Sequence, residues 1–189
     1  LAHKRWYYGT NQGYSHDTKP GEMIAEAVLA ADADVNYADY DWDGDGEVDQ
    51  VFVLYAGLGE HDGGSATTIW PHESKLSASD YKKAINLDGV KIDTYACSSE
   101  LQRGSTICGI GTICHEFSHC LGFPDTYDPT KTHFGMGTWD LMDVGSYIDN
   151  GFTPSCYTGL ERMIAGWQNA KVLANDTIVN NMGPISEGG

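Results

Sequence analysis

The feature that most constrains this chain is the pentapeptide His-Glu-Phe-Ser-His at residues 115–119. On an α-helix, positions i and i+4 lie on one face about one turn apart, so the imidazoles of His115 and His119 can reach a single metal ion. Glu116 is rotated away from these two and is predicted to face the open coordination position, where it can take a proton from an attacking water. The alternative interpretation is a polar helix face without a metal, because the pattern alone is only moderately specific.

The residues that follow favour metal binding. The chain continues Cys-Leu-Gly-Phe-Pro-Asp, which places Gly122 three residues after His119 and Asp125 three residues further. A glycine allows the chain to leave the helix through a backbone conformation that other residues disfavour. This turn can bring Asp125 back under the metal as a third ligand, leaving one position for water. Three protein ligands and one water are typical of catalytic rather than structural zinc.

The five cysteines add no ligands to this prediction. Cys114 and Cys120 flank the pentapeptide, but they are rotated about 100° from the histidine face, which suits packing in a core. Cys97 and Cys108 are close enough in sequence to bridge a loop. An odd number of cysteines leaves at least one thiol free or paired outside the chain, and the redox compartment stays open.

A second candidate metal site is the acidic loop at residues 41–49. Five acidic residues stand at positions 1, 3, 5, 7 and 9 of an EF-hand-like loop: Asp41, Asp43, Asp45, Glu47 and Asp49. Glu47 would contribute its backbone carbonyl. Position 12 is Phe52 rather than the bidentate glutamate of a sensor, so the pattern predicts a structural calcium ion instead of a switch. A solvated acidic turn is the alternative.

Charge narrows the classes of partner. The 189 residues include 27 acidic and 11 basic side chains, a net charge of -16. Such a surface repels nucleic acid and anionic membranes. The sequence also lacks a run of about 18 apolar residues, so no membrane span is predicted. It begins at Leu1 without a signal-like segment, and we interpret it as part of a longer precursor.

Periodicity and turn residues predict the secondary structure. Helices are expected at 21–33, 107–121 and 154–166, the last with Thr153 as N-cap. Strands are expected at 50–56, 67–72, 90–96, 171–173 and 177–179. The segment 123–151 is rich in glycine, proline and aspartate and is predicted to be mostly ordered loop.

Residues 137–143 read Gly-Thr-Trp-Asp-Leu-Met-Asp. The order H-E-x-x-H-x-x-G-x-x-D followed by W-D-L-M resembles the immune inhibitor A family of secreted bacterial zinc metalloproteases, which are metzincin-like. The resemblance covers roughly residues 40–167 and includes the acidic loop and Ile69-Trp70-Pro71-His72. It implies that Met142 is the methionine of the tight turn beneath the zinc. Cys120 departs from the usual family residue after the second histidine.

The resemblance also implies a fold and a function. The expected fold is α/β (α+β), with a twisted mixed sheet and the active-site helix in an upper subdomain, 1–122, above a smaller loop-rich one, 123–189. The expected activity is zinc-dependent endopeptidase, with Zn²⁺, a structural Ca²⁺, and protein or peptide substrates. The full-length protein is expected to carry an N-terminal propeptide and further C-terminal domains and to be secreted or held at the surface of a bacterium.

Some assignments around the cleft stay open. Tyr147, five residues after Met142, is a candidate hydrogen-bond donor to the oxyanion, and His61, His72 and His133 could border the cleft. A non-catalytic surface domain that keeps this fold and a zinc hydrolase acting on something other than peptides are the two competing functions.

Overall fold

A mixed sheet forms the centre of the computed structural model, which describes residues 1–13 and 17–184. Strand β5 (Thr94–Gln102) lies between β1 (Val51–Leu58), which is parallel to it, and β2 (His72–Lys75), which is antiparallel. The short strand β6 (Thr106–Ile107) pairs with the end of β5. Strand β2 is therefore an edge strand, and the predicted mixed α/β class with a twisted mixed sheet is confirmed.

A separate hairpin consists of β3 (Ile85–Leu87) and β4 (Val90–Ile92). Its two turn residues, Asp88 and Gly89, both have positive φ, as a tight hairpin turn requires. The single strand predicted at 90–96 is wrong, because Asp93 interrupts it. The buried Asp93 carboxylate accepts hydrogen bonds from the amide (2.8 Å) and hydroxyl (2.9 Å) of Ser77, which turns the chain between β4 and β5.

Two helices cover one face of the sheet. Helix α1 (Arg5–Gly9) is short, and α2 (Pro20–Ala31) agrees with the predicted helix at 21–33. Met23, Ile24 and Val28 of α2 are buried in the same apolar cluster as Tyr95 and Cys97 of β5. The spacing of these apolar residues is what places α2 against the sheet.

Helix α3 (Gly111–Cys120) packs against β5 and β2 and carries the pentapeptide. It begins later than the predicted residue 107, because Thr106–Ile107 pairs with β5. Gly111 is required where the helix meets the lower segment: a Cβ atom there would lie 1.8 Å from the Ser146 carbonyl oxygen. The close approach fixes the start of α3 against the lower part of the chain.

The segment after α3 is irregular, as predicted. It contains a short 3₁₀ turn at Gly137–Trp139, a kinked 3₁₀ segment at Val144–Gly151 in which residues 148–150 are not helical, and one α-helix, α4 (Gly159–Ile164). The predicted N-cap Thr153 is wrong. Thr158 caps α4 through a reciprocal capping box with Glu161, and this pair stabilises a start five residues later.

Three predicted strands are also misplaced. The Thr68 hydroxyl donates to the Ser65 carbonyl (2.7 Å) in a turn at 66–68, residues 69–71 are irregular, and the strand begins only at His72. Residues 171–173 and 177–179 have no strand partner and are exposed. The last five residues of the predicted lower subdomain, 185–189, lie outside the described part of the chain.

Two general features complete the description. Within the described ranges, no helix has both the length and the apolar character needed to cross a bilayer. All five cysteines are described and are free, so the Cys97–Cys108 bridge that their spacing allowed is not formed.

Candidate metal centre

The end of α3 turns the chain back toward its own histidines. Gly122 has φ +90°, its amide donates to the His119 carbonyl (2.9 Å), and the Phe123 amide donates to the Ser118 carbonyl (3.2 Å). These two bonds form a Schellman motif, so the predicted helix stop at Gly122 is confirmed. The Phe123 carbonyl then lies 2.7 Å from His119 Nδ1.

Both imidazoles are oriented by backbone carbonyls. His119 Nδ1 donates to the Phe123 carbonyl, and His115 Nδ1 donates to the Leu141 carbonyl at 3.0 Å. Because a carbonyl can only accept, each Nδ1 carries the proton. In the neutral ring, Nε2 then presents a lone pair, which is the usual arrangement around a metal.

The two Nε2 atoms meet at one carboxylate oxygen. Asp125 Oδ1 lies 3.1 Å from His115 Nε2 and 3.3 Å from His119 Nε2. Donor atoms of His115, Glu116 and His119 also lie within 4.8 Å of one another. The structure thus brings together the four residues that the sequence singled out.

Asp125 shifts the pKa values of both histidines. Its carboxylate raises the pKa of His119 to about 9. Burial lowers the pKa of His115, but hydrogen bonds to Asp125 and to the Leu141 carbonyl outweigh burial and leave it raised. Burial would raise the pKa of Asp125 itself, yet His115, His119 and Tyr127 hold it well below its usual range. The cluster therefore holds protons in the metal-free state.

Glu116 lies at the wall of a cleft of about 690 Å³. Its side chain is only 7% exposed, and burial raises its pKa, which the nearby histidines lower only in part. A carboxylate that is close to a cleft and has a raised pKa is suited to accepting and returning a proton near neutral pH.

The opposite walls come from β2 and from the lower segment. Trp70, His72 and Glu73 line the cleft on the sheet side, and Tyr127 and Tyr147 line it on the other. Burial raises the pKa of Tyr147, so its hydroxyl stays protonated. Of the three histidines named beside the cleft, His72 lines it and the His61 ring lies 6.4 Å from the Tyr147 ring. The His133 amide donates to the Asp128 carboxylate (2.8 Å).

Met142 is fully buried and packs with Phe123 and Leu141. The Asp140 carboxylate accepts from the Met142 amide (3.2 Å) and from the Thr126 hydroxyl (2.7 Å), and the Thr126 amide donates to the Met142 carbonyl (2.9 Å). These bonds tie Thr126, the residue after Asp125, to the turn that contains Met142.

Cys114 packs against this same apolar cluster, as the rotation of the helix predicted. Cys120 Sγ donates to the Glu116 carbonyl (3.7 Å) on the helix itself. The contacts given for both thiols are therefore with the apolar cluster or the helix backbone, and not with the clustered donor atoms of His115, Glu116 and His119.

The acidic loop is shaped by its own carboxylates. They accept backbone hydrogen bonds of 2.7–3.1 Å from the amides of Gly46, Asp45, Glu47 and Trp42. Asp41, Asp43 and Asp45 have carboxylate oxygens within 4.8 Å of one another, and Asp41 Oδ1 is buried with no hydrogen-bond partner among the residues that the structure describes. The Glu47 carboxylate instead forms an ion pair with Lys91 (2.6 Å).

Sequence reasoning missed Tyr127 and the two orienting carbonyls. Tyr127 lies two residues after Asp125, which is the only signal that could have pointed to it. The Phe123 and Leu141 carbonyls carry no side-chain signal, because any residue supplies a backbone oxygen.

The sequence model of a protein family, described as the immune inhibitor A peptidase M6 catalytic domain, matches residues 1–171 of this chain. The pre-pro-metalloprotease PrtV of Vibrio cholerae is 29% identical over 199 residues, covering 89% of this chain and 22% of the relative. Immune inhibitor A of Bacillus thuringiensis is 26% identical over 181 residues, covering 80% of this chain and 26% of the relative.

The chain spans about a quarter of the length of these curated relatives. The family match covers most of the chain and includes both the acidic loop and the clustered histidines, so the resemblance drawn from the motifs is confirmed. The chain belongs to the immune inhibitor A peptidase M6 family, and residues 1–171 correspond to its catalytic domain.

Proposed function

We propose that this domain is a zinc-dependent endopeptidase in which His115, His119 and Asp125 hold the zinc ion. The observation that carries the proposal is the spacing of their donor atoms, 3.1 and 3.3 Å from Asp125 Oδ1 to the two Nε2 atoms. Tetrahedral ligands at zinc distances of 2.0–2.1 Å are separated by about 3.3 Å. The donor set therefore fits zinc in both chemistry and spacing.

The reaction follows from the residues around this centre. Zinc, when bound, would polarise the scissile carbonyl and lower the pKa of a water molecule. Glu116 accepts the proton from the attacking water and later returns it to the leaving amine. Tyr147 lines the same cleft with a protonated hydroxyl and is the candidate donor to the oxyanion.

Strand β2 supplies a way to hold the peptide. It is an edge strand of the sheet, and the cleft is lined by its residues His72 and Glu73 together with the preceding Trp70. An extended substrate can add a further strand to such an edge through main-chain hydrogen bonds, which favours peptides over other zinc hydrolase substrates.

A direct test uses a diverse peptide library. The purified protein should cut peptides internally, and zinc chelation should abolish the cleavage, with recovery on adding zinc. If the protein binds zinc but cuts no peptide, it would instead be a non-catalytic surface domain or a zinc hydrolase that acts on something other than peptides.

Zinc binding should release protons. The pKa of His119 is raised to about 9 in the metal-free protein, so its imidazole is protonated at neutral pH. Because this folded-state pKa exceeds the unfolded value of about 6.5, the pair with Asp125 stabilises the metal-free fold below pH 6.5. That contribution is lost as pH rises through 9.

Over the same interval, zinc affinity should rise, because zinc needs the neutral imidazole. Zinc titrations between pH 6 and 9 with a pH indicator measure both the zinc affinity and the number of protons released on binding. An affinity that does not change across this range would contradict the assignment.

We also propose that the acidic loop binds a structural calcium ion. Asp41, Asp43 and Asp45 converge, and the buried Asp41 Oδ1 has no protein donor, so a cation would satisfy it. The Glu47 carboxylate is engaged by Lys91, which is consistent with Glu47 contributing only its backbone carbonyl.

Calcium should therefore stabilise the zinc-loaded protein. At a calcium concentration 100 times the dissociation constant, the gain is about 2.7 kcal/mol, visible as a higher Tm. Asp43→Asn should remove most of this increase, whereas Asp34→Asn, at an exposed acid outside the loop, should keep it. Equal increases in both variants would rule out this loop as the site.

Processing and location are inferred together. We propose a bacterial protein that is secreted or surface-held, with a propeptide and additional C-terminal domains. The chain covers 22% of a Vibrio relative named as a pre-pro-metalloprotease.

We further propose that the catalytic domain divides after residue 122. Two separate clusters support this division: the buried residues around Tyr95 all precede residue 122, and the buried residues around Met142 all follow it.

A further inference from the structure

A second cavity, of about 600 Å³, adjoins the cleft. The two share Trp70 and His72, so a peptide lying along β2 passes the entrance of both. Asp17, Tyr95 and Ala78 form other parts of the lining.

The carboxylate of Asp17 is only half satisfied. Its Oδ2 accepts a hydrogen bond from the Trp70 amide (2.9 Å), but its Oδ1 is buried and has no hydrogen-bond partner within the described ranges of the chain. Burial raises the pKa of Asp17 to about 6, so the group is mainly ionised at neutral pH yet poorly solvated. An unpaired buried carboxylate oxygen is stabilised strongly by a cationic donor.

The other polar groups of the lining already have partners. Both oxygens of Asp80 accept amides at the start of α2, at 2.7 and 3.0 Å. The Tyr95 hydroxyl pairs with His72 Nε2 (3.0 Å), and the ammonium of the exposed Lys82 donates to the Ala78 carbonyl (3.3 Å). Among the described residues of this lining, only Asp17 has a buried side-chain acceptor atom without a hydrogen-bond partner.

We propose that this cavity receives a lysine or arginine side chain of the bound peptide, with Asp17 as the specificity-determining carboxylate. The inference rests on the proposed peptidase function and adds a substrate class to it. Trp70, which is half exposed, offers its ring to the aliphatic stem and to the cation itself. The charged end then pairs with the Asp17 carboxylate once that side chain turns its open oxygen toward the cavity.

The test measures kcat/KM for peptide sets in which each position in turn carries lysine, arginine, glutamine or norleucine. The wild-type protein should prefer the basic residues at one position by about 10- to 100-fold, the range of a hydrogen-bonded charge in a desolvated site. Asp17→Asn should reduce that preference to about twofold. Asparagine keeps an oxygen for the Trp70 amide, so kcat/KM for the norleucine peptide should change little.

Two further variants sharpen the result. Asp34→Asn removes the same charge at an exposed position and should keep the preference. Ala78→Arg places a competing cation in the cavity and should weaken basic peptides selectively while leaving Asp17 and its bond to Trp70 in place, which also covers the case of an unstable Asp17 variant.

The peptidase function and the role of the Asp17 cavity can be tested separately. Fluorescence anisotropy measures binding of the same peptides to the Glu116→Gln protein. Asp17-dependent preference in binding without turnover in the wild type would sink the peptidase function alone. Cleavage or binding without any preference for a basic residue, or a preference that survives both Asp17→Asn and Ala78→Arg, overturns the role of this cavity.

Discussion

Replacing Glu116 with glutamine is expected to reduce peptide hydrolysis by about 10²- to 10⁴-fold while zinc stays bound, because proton transfer by a positioned group contributes this much. Glutamine has nearly the same shape, but its amide cannot take a proton. Glu116 is not one of the three proposed zinc ligands, His115, His119 and Asp125, so this substitution leaves those ligands in place. Turnover of a fluorogenic peptide and metal analysis on the same preparation test both statements.

The control for this variant is Asp34→Asn, which removes one exposed acidic charge far from the chemistry in sequence. It should behave like the wild type. Turnover by Glu116→Gln within about tenfold of the wild type would show that another group moves the proton. Loss of zinc from the variant would instead mean that Glu116 helps to hold the metal.

The second large effect is expected from Asp125. Asp125→Ala should weaken zinc binding by more than about 100-fold, the upper end of what an outer-shell partner costs, because a direct ligand is lost. Asp125→Asn should also lose zinc, since a neutral amide oxygen replaces the carboxylate. Asp125→His should retain part of the affinity, because imidazole is an ordinary zinc ligand at similar distance.

Zinc affinity by competition with a coloured chelator distinguishes these outcomes. If Asp125→Ala binds zinc as tightly as the wild type, another residue is the third ligand. His115 and His119 could then still hold the ion, but the close contacts of Asp125 with both Nε2 atoms would reflect only an ion pair of the metal-free state. The pH dependence of zinc binding would still differ between the two proteins, because the ion pair raises the pKa of His119 only when Asp125 is present.

Local signals in the sequence predicted the core of the site. The pair His115 and His119 depends only on helical periodicity, and the turn at Gly122 depends on a single residue with φ +90°. The helix at Gly159–Ile164 shows where such signals compete. Thr153 before Pro154 is a reasonable N-cap, but Thr158 has a glutamate three residues later, and the reciprocal bonds of that pair determine the start.

Other features depend on contacts between distant segments. Asp93 interrupts a strand because Ser77 reaches it, and the orientation of His115 depends on a carbonyl 26 residues away. Asp17 belongs to no motif. Its role depends on the fold, which places its carboxylate beside Trp70, 53 residues further along the chain. One of the two carboxylate oxygens is then left without a hydrogen-bond partner among the described residues.

The carbonyls that orient the two histidines have a mechanical consequence. One comes from Phe123 and the other from Leu141, and with Met142 these are the fully buried apolar residues of a small cluster. So small a cluster contributes little cohesion of its own, and the ion would act as a cross-link between α3 and the segment beneath it. Removing zinc should therefore let residues 123–142 open as a unit, with faster amide hydrogen exchange there than in β5. Such an opened segment is extended, accessible backbone, so zinc-free molecules should become substrates for their zinc-loaded neighbours.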